Sequence, residues 1–507
     1  MKFTTHRLTF IVSLMFFILG CALFFPTPTP TPPASTATAL PASTNTHAPT
    51  LIATSTSFST ITATTTPVLI SGAPGIGDTY YPNMGNGGYD VQEYVIALDI
   101  DPVGNDITGS VTISAMALEY LEAFNLDFHR LTVDSVNVNE EEAIFSRNED
   151  ELTIKPSKAL EADKPFTVVV AYHGSPRLFR SDAAPFPMGW SHTDDGSINV
   201  FGEPESAMTW FPNNNHPRDK ATYRFEITVP NPWMVAATGV LKETNVNGDH
   251  TTFIWEMDQP MASYLASINI DQYDLVTQTG PNGMTIRNYF PVDLPSENRT
   301  DFKKLADMID FFDDLFGPYP FDEYGVVVAA PDGLCAETDL SLEAQSMSIH
   351  CPSEFMTSET VIAHELTHMW FGDSVSLENW QDMWLKEGFA SYAEWLWETK
   401  NDSNDIALLA REYQNFRFDT EFPVAEPSPD DLYTGESYLG GAMVLQALRE
   451  EVGEETFFDI LRTFTKRYQY AVAGTDEFMA IAEEVSGKYL QPFFEKWLYS
   501  DILPKLP

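Results

Sequence analysis

The 507-residue chain is 43% hydrophobic and 13% aromatic, enough for two or three domains with full cores and too apolar for a chain disordered throughout. Its 28 Lys and Arg stand against 73 Asp and Glu, a net charge of −45, and only Lys2 and Arg7 are charged before Asp78, so the excess lies on the folded part. A surface of that sign repels phosphate backbones and argues against a nucleic-acid partner, and three cysteines are too few for a disulfide scaffold.

Residues 1–21 read as a secretion signal. Lys2, His6 and Arg7 precede an apolar run from Leu8 to Leu19 that only Thr9 and Ser13 interrupt. The run closes in Ile18-Leu19-Gly20-Cys21, which resembles the bacterial lipobox, a signal whose cysteine becomes the diacylated mature N-terminus. The alternative is a transmembrane anchor over Leu8 to Phe25, 18 residues and barely long enough to span. Either reading puts the rest of the chain outside the cytoplasm and ties it to a membrane. Residues 22–75 are rich in Thr, Ser and Pro and carry no charge, so they cannot build a core and are expected to form a disordered stalk.

Residues 76–272 contain short β-type runs separated by turn residues: Val91–Ile100, Gly109–Leu118, Phe166–His173, Tyr223–Val229, Thr252–Trp255 and Tyr264–Ile270. Apolar and polar residues alternate in several of them, which predicts antiparallel sheets. Residues 273–507 are mostly helical. Phe302, Leu305, Met308, Ile309, Phe312 and Leu315 recur at helical spacing before Gly317-Pro318, and similar patterns cover 358–371, 384–400, 403–417, 436–452, 454–468, 475–486 and 489–499. A few strands are expected near 323–349. The predicted class is multidomain α+β: an N-terminal antiparallel β domain followed by a mostly helical one.

The strongest chemical signal is His364-Glu365-Leu366-Thr367-His368. Residues four apart on a helix share a face, so both imidazoles can converge on one metal, and Glu365 between them is placed to take a proton from a metal-bound water. A catalytic zinc usually takes three protein ligands and keeps one position open. Glu387 supplies the third, with eighteen residues separating it from His368, in Trp384-Leu385-Lys386-Glu387-Gly388-Phe389-Ala390 at the start of the next helical run.

These two segments resemble the zinc signature of the aminopeptidase N-like metallopeptidases, a gluzincin family. The segments Gly75–Pro82, Gly87–Val91 and Trp210–Thr222 resemble its bacterial members as well. The resemblance spans about 75–507 and implies a saddle-like or sandwich β domain, a thermolysin-like catalytic domain, one zinc ion per chain, and peptide substrates with a free N-terminus. The sequence ends soon after Trp497-Leu498-Tyr499, where the catalytic domain of such enzymes normally closes, so the helical C-terminal domain of larger members is expected to be missing. In the family a Glu of a G-A-M-E-N segment binds the substrate α-amino group. The matching stretch is Leu340-Ser341-Leu342-Glu343-Ala344, which keeps the acid as Glu343 and loses the Gly and Asn. A second amine-binding acid maps to Glu203, with Glu205 as the alternative. Tyr438, in Tyr438-Leu-Gly-Gly441, matches the tyrosine whose phenol stabilises the oxyanion, and Tyr433 is its nearby alternative.

Cys335 and Cys351 bracket the Glu343 segment, and outside the cytoplasm two neighbouring thiols are expected to pair. The function expected is a zinc aminopeptidase held to the membrane through a lipid anchor. The same zinc centre also suits an endopeptidase. An inactive peptide-binding lipoprotein is disfavoured, because a binding module has no need of a general base.

Overall fold

The computed structural model describes residues 70–401, 403–416, 422–430 and 432–506. The signal, Cys21 and all but the last few stalk residues lie outside the described residues. Strict alternation builds the N-terminal half. Lys220–Pro230 buries every second side chain and sits inside an eight-stranded sheet. On one side it pairs antiparallel with His250–Ala262, and on the other it runs parallel to Tyr89–Asp101, so the sheet is not purely antiparallel as the pattern alone suggests. Tyr89–Asp101 continues antiparallel to Asp106–Ala117, which pairs with Lys164–Gly174. A smaller sheet carries Met188–His192, Ile198–Phe201 and Ile268–Asp271, and a third contains Leu121–Asp127 and Glu151–Lys155.

The expected strand Tyr264–Ile270 is divided. Ser263–Leu265 forms a single 3-10 turn, and only Ile268–Asp271 is a strand. The Ser263 hydroxyl bonds to the Asn214 carbonyl and the Asn215 side chain, and such side-chain bonds compete with a ladder.

The C-terminal half opens on a mixed five-stranded sheet, ordered Tyr273–Thr279, Thr285–Pro291, Glu323–Val328, Met347–His350 and Ser341–Ala344, the last being the edge. Helix Leu305–Phe316 buries Leu305, Met308, Ile309, Phe312 and Phe316, one stripe at helical spacing, and stops at Gly317, whose φ of 99° suits glycine. Helices Glu359–Thr367, Trp384–Glu398 and Gly441–Val452 follow. Among the described residues no helix is long and apolar enough to cross a membrane.

Leu69–Pro507 form one compact unit, and apolar and polar contacts join its two halves. Met188 and Phe201 of the β half share a buried cluster with Ala329, Leu340, Leu342, Ile349 and Cys351, in and beside the strands of the C-terminal half. A disulfide joins Cys335 to Cys351, with Cα atoms 5.5 Å apart, beside the edge strand that carries Glu343. The Arg218 guanidinium donates to Ile76 O at 3.0 Å and to Glu378 O at 3.1 Å.

Asp78 is a second tie. Its buried carboxylate accepts bonds from Tyr80 N at 2.7 Å and Trp380 N at 3.0 Å, and lies 3.1 Å from His216 Nε2. Burial alone would raise its pKa, but the bonds from His216, Trp380, Tyr80 and Tyr81 outweigh that and hold it at about 2, against an ordinary 3.8. A carboxyl depressed by folding stabilises the native state above its unfolded pKa, and the contribution is lost as pH falls through the folded value. Asp78→Asn is therefore expected to cost about 2 kcal/mol at neutral pH. The gap between the two unfolding curves should shrink below pH 4 and close near pH 2.

Candidate active site

Helix Glu359–Thr367 carries His364 and Glu365, and His368 caps its C-terminal end. Glu387 lies in the first turn of helix Trp384–Glu398. An aromatic wall seats the two helices against each other: Phe371 packs on Phe389 at 4.4 Å between centroids, and Phe316 packs edge-on to Phe371 at 5.2 Å. His364, His368 and Glu387 each present one ligand atom, all within 4.8 Å of one another. His364 Nε2 is 3.2 Å and His368 Nε2 3.7 Å from Glu387 Oε2, so both rings present the same nitrogen to one point.

The opposite ring nitrogens are already engaged. His364 Nδ1 lies 2.7 Å from Glu394 Oε1, and His368 Nδ1 lies 3.1 Å from Phe371 O. Such partners fix the tautomer that leaves Nε2 free to bind metal. Two imidazoles and one carboxylate suit a zinc ion with an open position, so the residues present fit that metal. Burial lowers the His364 pKa, but hydrogen bonds to Glu387 and Glu394 outweigh it and raise the ring well above the ordinary imidazole value. A metal taking Nε2 displaces that proton. Burial pushes His368 the other way, well below the ordinary value and toward the neutral form.

Glu365 is buried, and burial raises its carboxyl well above the usual range. His364 opposes that rise, and the negative charges of Glu343 and Glu387 add to it. A carboxyl so raised holds a proton more readily than an exposed one, as a group that takes up a proton and gives it back must. Glu343, Glu365 and His368 form a second group within 4.8 Å, which brings Glu343 to the edge of the metal-ligand cluster.

Glu203 follows strand Ile198–Phe201, and Glu343 lies in edge strand Ser341–Ala344, next to Leu342 of the shared apolar cluster. That cluster draws the two acids together from different halves of the chain. Both are buried, and both accept hydrogen bonds from the Lys386 ammonium. Glu205 is turned elsewhere, accepting from the Ser181 hydroxyl.

Tyr438 enters on a π-helical turn, Glu436–Gly440, that leads into helix Gly441–Val452. Its ring lies nearly parallel to His364, with centroids 6.0 Å apart. Burial, then the Glu387 charge, raises its pKa well above 10, so the phenol stays a neutral donor. The approach depends on two glycines. A Cβ on Gly388 would sit 2.7 Å from Gly441 Cα, so only glycine at both positions lets the helices meet this closely. Tyr433 lies near enough to the same acids for Glu203 and Glu387 to raise its pKa in addition to burial. If Tyr438 is the oxyanion donor, Tyr438→Phe is expected to lower kcat by about 10²–10³-fold with little change in KM, as read by steady-state kinetics.

Sequence reasoning missed two residues. Glu394 stands seven positions after Glu387, two turns along the same helix face, a spacing that was readable. Lys386 adjoins a ligand in the sequence, but nothing in the pattern showed where its ammonium would go.

The β half, the mostly helical half and the histidine–carboxylate cluster together define the metallopeptidase class. The Peptidase M1 N-terminal domain matches residues 90–265, and the Peptidase family M1 domain matches residues 301–497. The chain belongs to peptidase family M1, the aminopeptidase N-like zinc metallopeptidases. It is 27% identical over 333 residues to glutamyl aminopeptidase of Homo sapiens, covering 61% of this chain and 35% of that protein. Aminopeptidase M1-C of Oryza sativa subsp. japonica is 28% identical over 317 residues, covering 58% and 36%. The matches thus span about a third of the length of these curated relatives. The crystal structure of an M1 zinc metallopeptidase from Deinococcus radiodurans superimposes with a TM-score of 0.78 at 27% identity, covering 85% of this chain and 98% of that one. A mutant of that enzyme bound to a Tyr-Ser-Ala substrate gives the same score at 26% identity.

Proposed function

We propose that this protein is a zinc aminopeptidase that removes the first residue of peptides. The observation that carries the reading is the meeting of Glu203 and Glu343 at a single ammonium, beside His364, His368, Glu387 and Glu365. His364, His368 and Glu387 would hold one zinc ion per chain. Zinc, when bound, supplies a Lewis acid that makes water a competent nucleophile at neutral pH.

The remaining work belongs to the chain. Glu203 and Glu343 bind the substrate α-ammonium, and their place next to the metal ligands admits one residue before the cleaved bond. Glu365 takes a proton from the attacking water as the oxygen bonds to the first carbonyl carbon. It then gives that proton to the departing nitrogen as the C–N bond breaks. The Tyr438 hydroxyl donates to the carbonyl oxygen while that oxygen carries negative charge.

The test is zinc analysis with turnover of a panel of aminoacyl chromogenic substrates. Zinc-dependent hydrolysis that chelation abolishes is expected, and a zinc-loaded protein inactive on the whole panel overturns the proposal. The signal-like segment ending at Cys21 supports an extracytoplasmic, lipid-tethered location. Cys21→Ser should move activity from the membrane fraction to the soluble one. A variant that stays in the membrane with residues 1–20 attached points instead to a transmembrane anchor.

A further inference from the structure

Lys386 is the residue before Glu387, and its side chain is completely buried. Its ammonium donates to Glu203 Oε1 and Glu343 Oε1, lies 3.3 Å from Glu387 Oε1, and sits 5.6 Å from the centroid of the Tyr264 ring. The other Glu203 oxygen, Oε2, is buried with no hydrogen-bond partner. A buried carboxylate with an unused oxygen is an acceptor awaiting a donor.

The proposed aminopeptidase reading, on which this inference rests, needs these same two carboxylates for the substrate amine. One ammonium already bridges them, so a second cannot occupy the same point. We propose that Lys386 is an internal ammonium that holds the α-amine subsite when substrate is absent, and that an incoming N-terminus displaces it from Glu343 and takes up the unused Glu203 oxygen.

Lys386 is then a positioning residue with two opposing effects. It holds the two acids together, ready for an amine. It also competes for them, so the apparent affinity falls by the fraction of time it yields the place. A purely structural Lys386 makes the opposite prediction, since removing it would scatter the acids and weaken amine binding.

The experiment compares an amino-acid hydroxamate with its des-amino counterpart as inhibitors of the zinc-loaded full chain. The ratio of their inhibition constants reads the amine alone. In Lys386→Met, which keeps the stem and removes the charge, the amine-bearing inhibitor is expected to bind at least about 10-fold more tightly than in the wild type, and its counterpart unchanged. An unchanged or smaller amine preference in the variant overturns the inference. A wild type that does not distinguish the two inhibitors contradicts the aminopeptidase reading itself, a separate outcome.

Crystal structures of the zinc-loaded wild type with and without the amino-acid hydroxamate test the idea without any variant. Nζ should leave Glu343 when the amine is bound. An amine seated on both acids with Lys386 unmoved overturns the displacement.

Discussion

Glu365→Gln is expected to lower kcat by up to about 10⁴-fold while zinc content, KM and melting temperature stay close to those of the wild type. Glutamine keeps the shape of the buried side chain and removes only the group that accepts the proton. The carboxyl is raised by burial and by the Glu343 and Glu387 charges, so an amide costs the fold little. Equal loss of zinc and activity would make Glu365 a ligand instead of a base. Retained activity would exclude the proton transfer assigned to it.

Glu387→Ala is expected to act earlier, on the metal itself. It removes the only oxygen of the three-donor set and takes a negative charge from beside Lys386 and His364. Zinc should be lost on dialysis, and turnover should fall below detection. Glu394→Ala offers the graded comparison. It leaves all three ligands but frees His364 Nδ1 from its partner at 2.7 Å, and zinc affinity should weaken by about 10–100-fold. Metal titration of the three proteins side by side ranks these effects. If Glu387→Ala keeps zinc as tightly as the wild type, the ligand set is wrong.

The sequence made the local chemistry legible because that chemistry is periodic. His364 and His368 share a helix face by spacing alone, and Glu387 follows from the need for a third donor. The alternation in Tyr223–Val229 likewise announced a strand that is observed over Lys220–Pro230. Two kinds of feature were hidden. The parallel pairing of Tyr89–Asp101 with Lys220–Pro230 joins segments more than a hundred residues apart, and alternation fixes faces without naming neighbours. The convergence of Glu203 and Glu343 on Lys386 depends on a core in which Phe201 packs with Leu342 and Ile349 across the two halves. Each acid alone in so acidic a chain reads as a solvated charge, and only the resemblance singled them out. The π-helical turn that presents Tyr438 was also invisible, since the 436–452 pattern reads as one continuous helix.

In the proposed function, two buried carboxylates beside a zinc site read a free N-terminus. One peptide, offered with its α-amine free or N-acetylated to the zinc-loaded full chain, tests it most directly. Mass spectrometry of the products should show sequential loss of single N-terminal residues from the free peptide and no cleavage of the acetylated one. Equal cleavage of both at internal bonds would contradict the account and make the same zinc centre that of an endopeptidase.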